Sequence, residues 1–230
     1  MKIKRHQHEG LFFYCRESTS DKKTFDEVLV RRTYERRYFQ ISNGERWIDL
    51  GGNVGAFTVR AASIGAKVDV YEPDPFNCKM IEKNIKANNL DANIHQKAVV
   101  SNNSKKMKMY VGNNNQVWRN SLYKDWGNQS FNVECVHFSE VLTPEINLKM
   151  DIEGAEMDIL EAMSAFPKRM VFEWSFDIDP DIDRYRKVLD KLSKQYQTVK
   201  APTYREDYSV WPDSWFPPCA NVYCYEDNTA

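Results

Sequence analysis

The sequence predicts an α/β fold, a mostly parallel sheet with helices on both faces, and three observations predict it. In the middle of the chain, short apolar runs of strand character alternate with amphipathic helical segments, the pattern of successive right-handed crossovers. Glycine, proline and aspartate stand where those helices should start and stop. No internal repeat or long low-complexity linker breaks the 230 residues, and 42% apolar content is enough for one large core.

Taken in order, "RWIDL" reads as a buried strand, and "GAFTVRAASIG" has helical spacing that ends at Gly65, a residue suited to a left-handed stop. "KVDVYEP" is the next strand, closed by Pro73. Asp74 then caps a helix with Pro75 at its first position, whose Phe76, Met80, Ile81 and Ile85 are expected on one face. "ANIHQKAVV" is expected as a third strand. The alternating segments "KKMKMYV" and "FNVECVHF" bracket an asparagine-rich interval and predict an inserted β hairpin. Alternation resumes with strand "INLKMDI", helix "AEMDILEAMSAF", strand "RMVFEW" and helix "DIDRYRKVLDKLSKQY", whose Tyr185, Val188, Leu189, Leu192 and Tyr196 make a core stripe. "QTVKA" and "NVYCYE" are short strands on either side of an aromatic, proline-containing loop.

Lysine plus arginine number 32 against 33 aspartate plus glutamate, a net charge of -1 that removes the electrostatic case for nucleic acid or an anionic membrane. Cys15, Cys78, Cys135, Cys219 and Cys224 are scattered and never in C-x-x-C spacing, which points to a reducing compartment. The apolar run from Leu11 to Tyr14 is far shorter than a signal-peptide core, and no segment approaches membrane-spanning length. The expectation is a soluble, cytoplasmic protein with no membrane insertion. His6 and His8 near the terminus, and His95 and His137, fall at no convincing ligand spacing.

In such sheets, ligands bind beyond the carboxyl ends of the strands. Asp49, Glu72, Asp151 and Glu173 are expected at or near those ends, a negative edge that disfavours phosphate and favours a cation. The loop after the first central strand carries Gly51, Gly52, Asn53 and Gly55, which is not the glycine spacing of a dinucleotide fingerprint. Glu72 lies 21 residues after Gly51, the separation at which an acid ending the second strand bonds both hydroxyls of an adenosine ribose. NAD and S-adenosylmethionine share that feature. S-adenosylmethionine has a sulfonium and an ammonium group and no phosphate, so Asp49 and the glycine turn are expected to receive its amino-acid end, with Glu72, Pro73 and Asp74 along the adenosine.

"IDLGGNVGAFT", "VYEPDPFN" and "LKMDIEGAEMDIL", in that order and at these separations, resemble the FkbM-type S-adenosylmethionine-dependent methyltransferases. The resemblance covers roughly residues 45 to 175 and is helped by "YERRYFQISNGE" and "RMVFEW". Members usually have alanine where this chain has Gly52. The resemblance implies a class I methyltransferase, Rossmann-like three-layer sandwich, with a mostly parallel seven-stranded sheet whose last strand is antiparallel. It also implies methylation of an oxygen on a sugar or polyketide. Residues 1–230 then read as one domain, 1–44 an N-terminal cap on the substrate side and 45–230 the cofactor-binding core.

A neutral alcohol needs a proton acceptor, and Asp151, Glu153 and Glu173 are the candidates. Lys149 shares the strand face of Asp151 and is expected to pair with an acid or assist the base. A metal-assisted route would use Asp151 and Glu173 on neighbouring strands with magnesium or manganese. For the acceptor, the rings of Trp118, Tyr204, Tyr208, Trp211 and Trp215, with Arg119, suit a sugar such as a deoxyhexose, whose C–H faces stack while its hydroxyls hydrogen-bond. A nicotinamide-dependent oxidoreductase would share the fold and Glu72 but wants the missing glycine pattern. A catalytically silent binding module would not need carboxylates at several strand ends.

Overall fold

The computed structural model describes residues 2–112, 119–127, 129–200 and 219–226. Its centre is a seven-stranded sheet built from β3 (Arg46–Leu50), β4 (Lys67–Tyr71), β5 (Asn93–His95), β9 (Asn147–Met150), β10 (Arg169–Ser175), β11 (Thr198–Lys200) and β12 (Cys219–Tyr225). The spatial order is β11-β12-β10-β9-β3-β4-β5. The last strand, β12, runs antiparallel to both its neighbours, and the pairings from β10 across to β5 are parallel.

Helices α2 (Ala56–Ile64) and α3 (Pro75–Ala87) pack in one apolar cluster, while α4 (Glu156–Ala162) and α5 (Ile182–Ser193) pack in another that includes Leu148, Met150 and Phe172. Gly65 ends α2 in the left-handed conformation, and the Asp74 carboxylate accepts from the Phe76 amide to start α3. Tyr185, Val188, Leu192 and Tyr196 are buried as the spacing requires. Phe76 is not: it is 62% exposed. Successive helical residues turn by about 100°, which carries position 76 past the edge of the stripe that buries Asn77, Met80, Ile81, Asn84 and Ile85.

The expected third strand is two strands. Asn93–His95 pairs with β4, and β6 (Ala98–Val100) leaves the sheet to pair with β8 (Ser130–His137). The break is a tight turn in which the His95 carbonyl accepts from both Glu72 and Lys97 amides, at 3.1 and 2.8 Å. β8 also pairs antiparallel with β7 (Lys106–Tyr110), the expected hairpin, so a three-stranded sheet with its own small core stands beside the main one.

Ahead of the sheet lie a hairpin, β1 (Ile3–His8) and β2 (Leu11–Arg16), then α1 (Asp21–Phe25) and a π-helical turn over Asp26–Val30. The edge of β2 docks on side-chain amides of α3. Asn84 accepts from the Tyr14 amide and Asn88 from the Phe12 amide, both at 2.7 Å, and Asn88 also donates to the Phe12 carbonyl at 2.7 Å. Four helical residues rise about 6 Å and two strand residues about 7 Å, so an i, i+4 asparagine pair matches the strand's edge. Among the described residues, no helix is long and apolar enough to cross a membrane.

Candidate active site

The four expected carboxylates fall on four adjacent strands, in the order Glu72 after β4, Asp49 in β3, Asp151 after β9 and Glu173 in β10. A cleft of about 670 Å³ opens at this edge, within the range of roughly 300–1,000 Å³ that holds cofactors and small ligands. Glu72, Asp151, Glu153 and Glu173 line it together with Gly51, Gly52, Asn53 and Pro73.

The loop after β3 is set by its glycines. Gly51 has φ +77, and a Cβ there would stand 1.8 Å from the Asp151 carbonyl oxygen, so the loop meets the end of β9 backbone to backbone. Gly52 approaches almost as closely, with a Cβ position 2.2 Å from Val70 Cγ2.

Asp49 does not open onto the cleft. It is fully buried, accepts from the Thr58 hydroxyl at 2.7 Å, and lies 3.1 Å from Lys149 Nζ. Lys149 also donates to the Gly51 carbonyl at 2.7 Å and reaches the Leu50 carbonyl at 3.3 Å. Burial opposes the ammonium charge, but Asp49, Asp151 and Glu173 outweigh it and hold the Lys149 pKa above its usual value. Lys149 is therefore a fixed cation that pins the glycine loop, a poor proton acceptor.

Glu72 accepts from the Asn53 amide at 2.7 Å, the Asp74 amide at 2.8 Å and Asn77 Nδ2 at 3.4 Å. A carboxylate offers about four acceptor positions, so one remains for a ligand hydroxyl. Burial pushes this carboxyl up to about 7 despite those donors. Asp74 is held behind the cleft wall: one oxygen caps α3 and the other accepts from Asn120 Nδ2 at 3.0 Å. Asn120, from the insertion, lines the cleft and ties it to the start of α3.

At the opposite end, Asp151 Oδ2 accepts from the Tyr34 hydroxyl at 2.6 Å, while its Oδ1 is shielded from solvent and has no hydrogen-bond partner. Glu153 and Glu173 are both pushed well above the ordinary carboxylate range, chiefly by burial and next by the Asp151 charge. Glu156 lies behind them; its two oxygens accept from the Ile152 and Gly154 amides at 2.7 and 2.9 Å, which holds the turn that carries Asp151 and Glu153. Among the described residues, no group of three or more His, Cys, Asp or Glu is placed to hold a metal ion.

Arg119 lines the cleft, ion-paired with Asp177 and over the Trp126 ring at 4.1 Å. Trp118, Tyr204, Tyr208, Trp211 and Trp215 lie outside the described residues. Sequence reasoning missed Tyr34 and Asn120, since both are ordinary residues far in sequence from what they touch.

The sequence profile of the methyltransferase FkbM domain matches residues 49–197. No curated protein matches the chain in sequence. Among solved structures, the chain is similar to the Pyrococcus abyssi tRNA (uracil-54, C5)-methyltransferase in complex with S-adenosyl-L-homocysteine, with 13% identity and a TM-score of 0.51 over 97% of this chain and 44% of that one. The chain thus spans less than half of that protein's length. It is also similar to the precorrin-6y C5,15-methyltransferase of Geobacter metallireducens, at 11% identity and a TM-score of 0.47 over 92% of each chain. At 13% identity the likeness to the tRNA methyltransferase speaks to fold alone.

Proposed function

The chain belongs to the FkbM methyltransferase family, and from that premise we propose that it transfers a methyl group from S-adenosylmethionine to a hydroxyl of a sugar or glycan, with a deoxyhexose such as rhamnose as the first acceptor to try. One observation carries this reading: a single cleft has Glu72 and the glycine loop at one end and three carboxylates, Asp151, Glu153 and Glu173, at the other.

When bound, S-adenosylmethionine supplies an electrophilic methyl on a positively charged sulfur. Glu72 holds the ribose of the adenosine, the glycine loop lies against the amino-acid end, and the Lys149 bonds keep the loop in place. The acids at the far end orient the acceptor hydroxyl and take its proton as the oxygen loses electron density. Alignment of that oxygen with the methyl carbon supplies much of the acceleration. Residues 1–44 belong to the same domain, 1–230, and wall the acceptor side, where Lys23, Glu27, Arg31 and Tyr34 line the cleft. No step here calls on magnesium or manganese.

Two measurements test the reading. Calorimetry compares S-adenosylhomocysteine with NAD, and only the former is expected to bind. Mass spectrometry of a panel of mono- and oligosaccharides incubated with S-adenosylmethionine is expected to show a gain of one methyl, unchanged by chelator. Methylation confined to polyketide hydroxyls would remove the sugar, and loss of activity on chelation would restore the metal.

A further inference from the structure

We propose that Arg16 is a positioning residue of the cofactor site: it orients the Asn77 amide, the oriented amide donates to Glu72, and the N-terminal hairpin thereby takes part in binding S-adenosylmethionine. The proposal rests on the reading above that Glu72 receives the ribose hydroxyls. It gives the segment ahead of the central sheet a second task besides walling the acceptor side.

A seam of side-chain amides carries the contact. Phe12, Tyr14 and Arg16 alternate along β2, and Asn88, Asn84 and Asn77 meet them in turn from α3. At the end of the seam that borders the cleft, Arg16 Nη2 donates to Asn77 Oδ1 at 2.7 Å across 61 positions of sequence. The guanidinium is itself gripped by Asp21, the first residue of α1, with Nε on Oδ2 at 2.8 Å and Nη2 on Oδ1 at 2.9 Å. The two side chains are 3% and 0% exposed. A buried two-point pair of this kind fixes the direction of the fork.

Elementary chemistry then decides which way the amide points. Arginine carries donors only, and an ionised carboxylate acceptors only. Asn77 stands between one and the other, so its oxygen faces Arg16 and its NH2 faces Glu72 Oε1, at 3.4 Å. Turned over, the amide would set oxygen against oxygen at Glu72 and NH2 against the guanidinium, two repulsions at once. At 3.4 Å the bond to Glu72 is long, and what Arg16 fixes is the sense of the amide dipole that the carboxylate meets.

The same seam reaches the glycine loop. Asn84 accepts from the Tyr14 amide at 2.7 Å and donates to the Val54 carbonyl at 2.9 Å. One face of α3 therefore joins β2 to both elements that face the cofactor, Glu72 and the loop after β3.

The other groups around Glu72 are few. The loop after β3 meets its side chain through the Asn53 amide, and β5 meets its main chain through the His95 carbonyl. From the start of α3, the Asp74 amide donates to it while the Asp74 charge raises it. The Cys78 thiol is pushed up to about 12 by burial and next by Glu72, so it stays protonated through neutral pH. Burial drives Glu72 up to about 7 against its donors, which include the Asn77 side chain.

The first arm of the test needs no ligand. With glutamate labelled by carbon-13 at the δ carbon, the Glu72 resonance is identified by its loss in Glu72→Gln, and its wild-type midpoint is expected at about 7. Asn77→Asp leaves Arg16 an acceptor but takes away the N–H toward Glu72, and the midpoint is expected to rise by about one unit. Arg16→Met combined with Asp21→Leu removes both buried charges, so that neither is stranded, and should move the midpoint the same way. Arg16→Lys, which loses the guanidinium fork but keeps a cation beside Asp21, is expected to shift it in the same sense and decides the matter if the paired change does not fold. In an Asn77→Ala background, the Arg16 changes should add nothing further. An unmoved midpoint in the Arg16 variants, or an equal further rise in the Asn77→Ala background, overturns the proposal.

The second arm is calorimetry with S-adenosylhomocysteine. A midpoint about one unit higher cuts the ionised fraction at pH 7.5 from about three quarters to about one quarter, so Kd is expected to rise about threefold there and to return close to wild type at pH 9. The same loss at both pH values would be general damage to the fold and overturns the positioning role. A moved titration with an unchanged Kd would leave the Arg16–Asn77–Glu72 link standing and take the ribose from Glu72, so that the reading above fails and the cofactor role of Arg16 with it.

Discussion

Lys149 Nζ stands 3.1 Å from Asp49 Oδ1, with the two side chains 4% and 0% exposed, and the same ammonium donates to the Gly51 carbonyl. One buried ion pair thus joins two neighbouring strands to the loop that faces the cleft. Removing either partner strands a charge where water cannot reach it. Lys149→Met is expected to cost about 3–5 kcal/mol, seen as a Tm lower by about 2–4 °C per kcal/mol. The double variant Asp49→Asn, Lys149→Met should recover part of that loss. If Lys149→Met unfolds like the wild type, the pair contributes nothing and the loop is held by its glycines alone.

Glu72 makes cofactor affinity depend on pH. Its carboxyl is pushed up to about 7 in the folded protein from an ordinary value of 4.5. Ribose hydroxyls donate best to the ionised form, so S-adenosylhomocysteine is expected to bind more weakly as pH falls below about 7, by up to about tenfold per unit. Glu72→Gln should bind more weakly at pH 8 and show little of that dependence. Titration calorimetry between pH 5.5 and pH 8 reads both.

The same shift has a consequence for stability, with a defined sign. Between pH 4.5 and about 7 the folded state keeps a proton that the unfolded chain has released, so stability falls as pH rises through that window. Glu156, also raised to about 7 by burial, adds to the slope. Thermal unfolding of the ligand-free protein is expected to show a higher Tm at pH 5.5 than at pH 7.5 from these two groups, and a smaller difference in Glu72→Gln.

Gly52→Ala tests how tightly the loop after β3 is packed. A Cβ at that position meets Val70 Cγ2 at 2.2 Å and Ile81 Cδ1 at 3.1 Å. Overpacking of this kind costs about 1–3 kcal/mol. Val70→Ala removes the nearest methyl, so the double variant should be more stable than the sum of the single changes allows, with a coupling of about 1 kcal/mol. Simple additivity in denaturant unfolding would mean the loop shifts to accommodate the methyl.

Asn120→Ala removes the bond to Asp74 Oδ2 and the one from the Gly112 amide. Leaving the buried Asp74 oxygen without its donor costs about 1–3 kcal/mol. Because Asn120 also lines the cleft, S-adenosylhomocysteine should bind measurably more weakly. An unchanged Kd would place the insertion outside the cofactor's reach.

What the sequence determined by itself is what local periodicity and turn chemistry encode. The alternation of strand and helix, the Gly65 stop, the Asp74 cap with Pro75 and the inserted hairpin were legible, as was the gathering of Glu72, Asp151 and Glu173 at one edge; the antiparallel last strand came only from the family resemblance. Only the tertiary structure decided how charge is shared there. Asp49 reads as a free anion until Lys149, 100 residues away, is seen beside it. Asp151 and Tyr34, 117 positions apart, meet only in the fold. The sheet order places side chains from distant segments within hydrogen-bond reach, and no one-dimensional spacing encodes a contact whose partners lie on different elements.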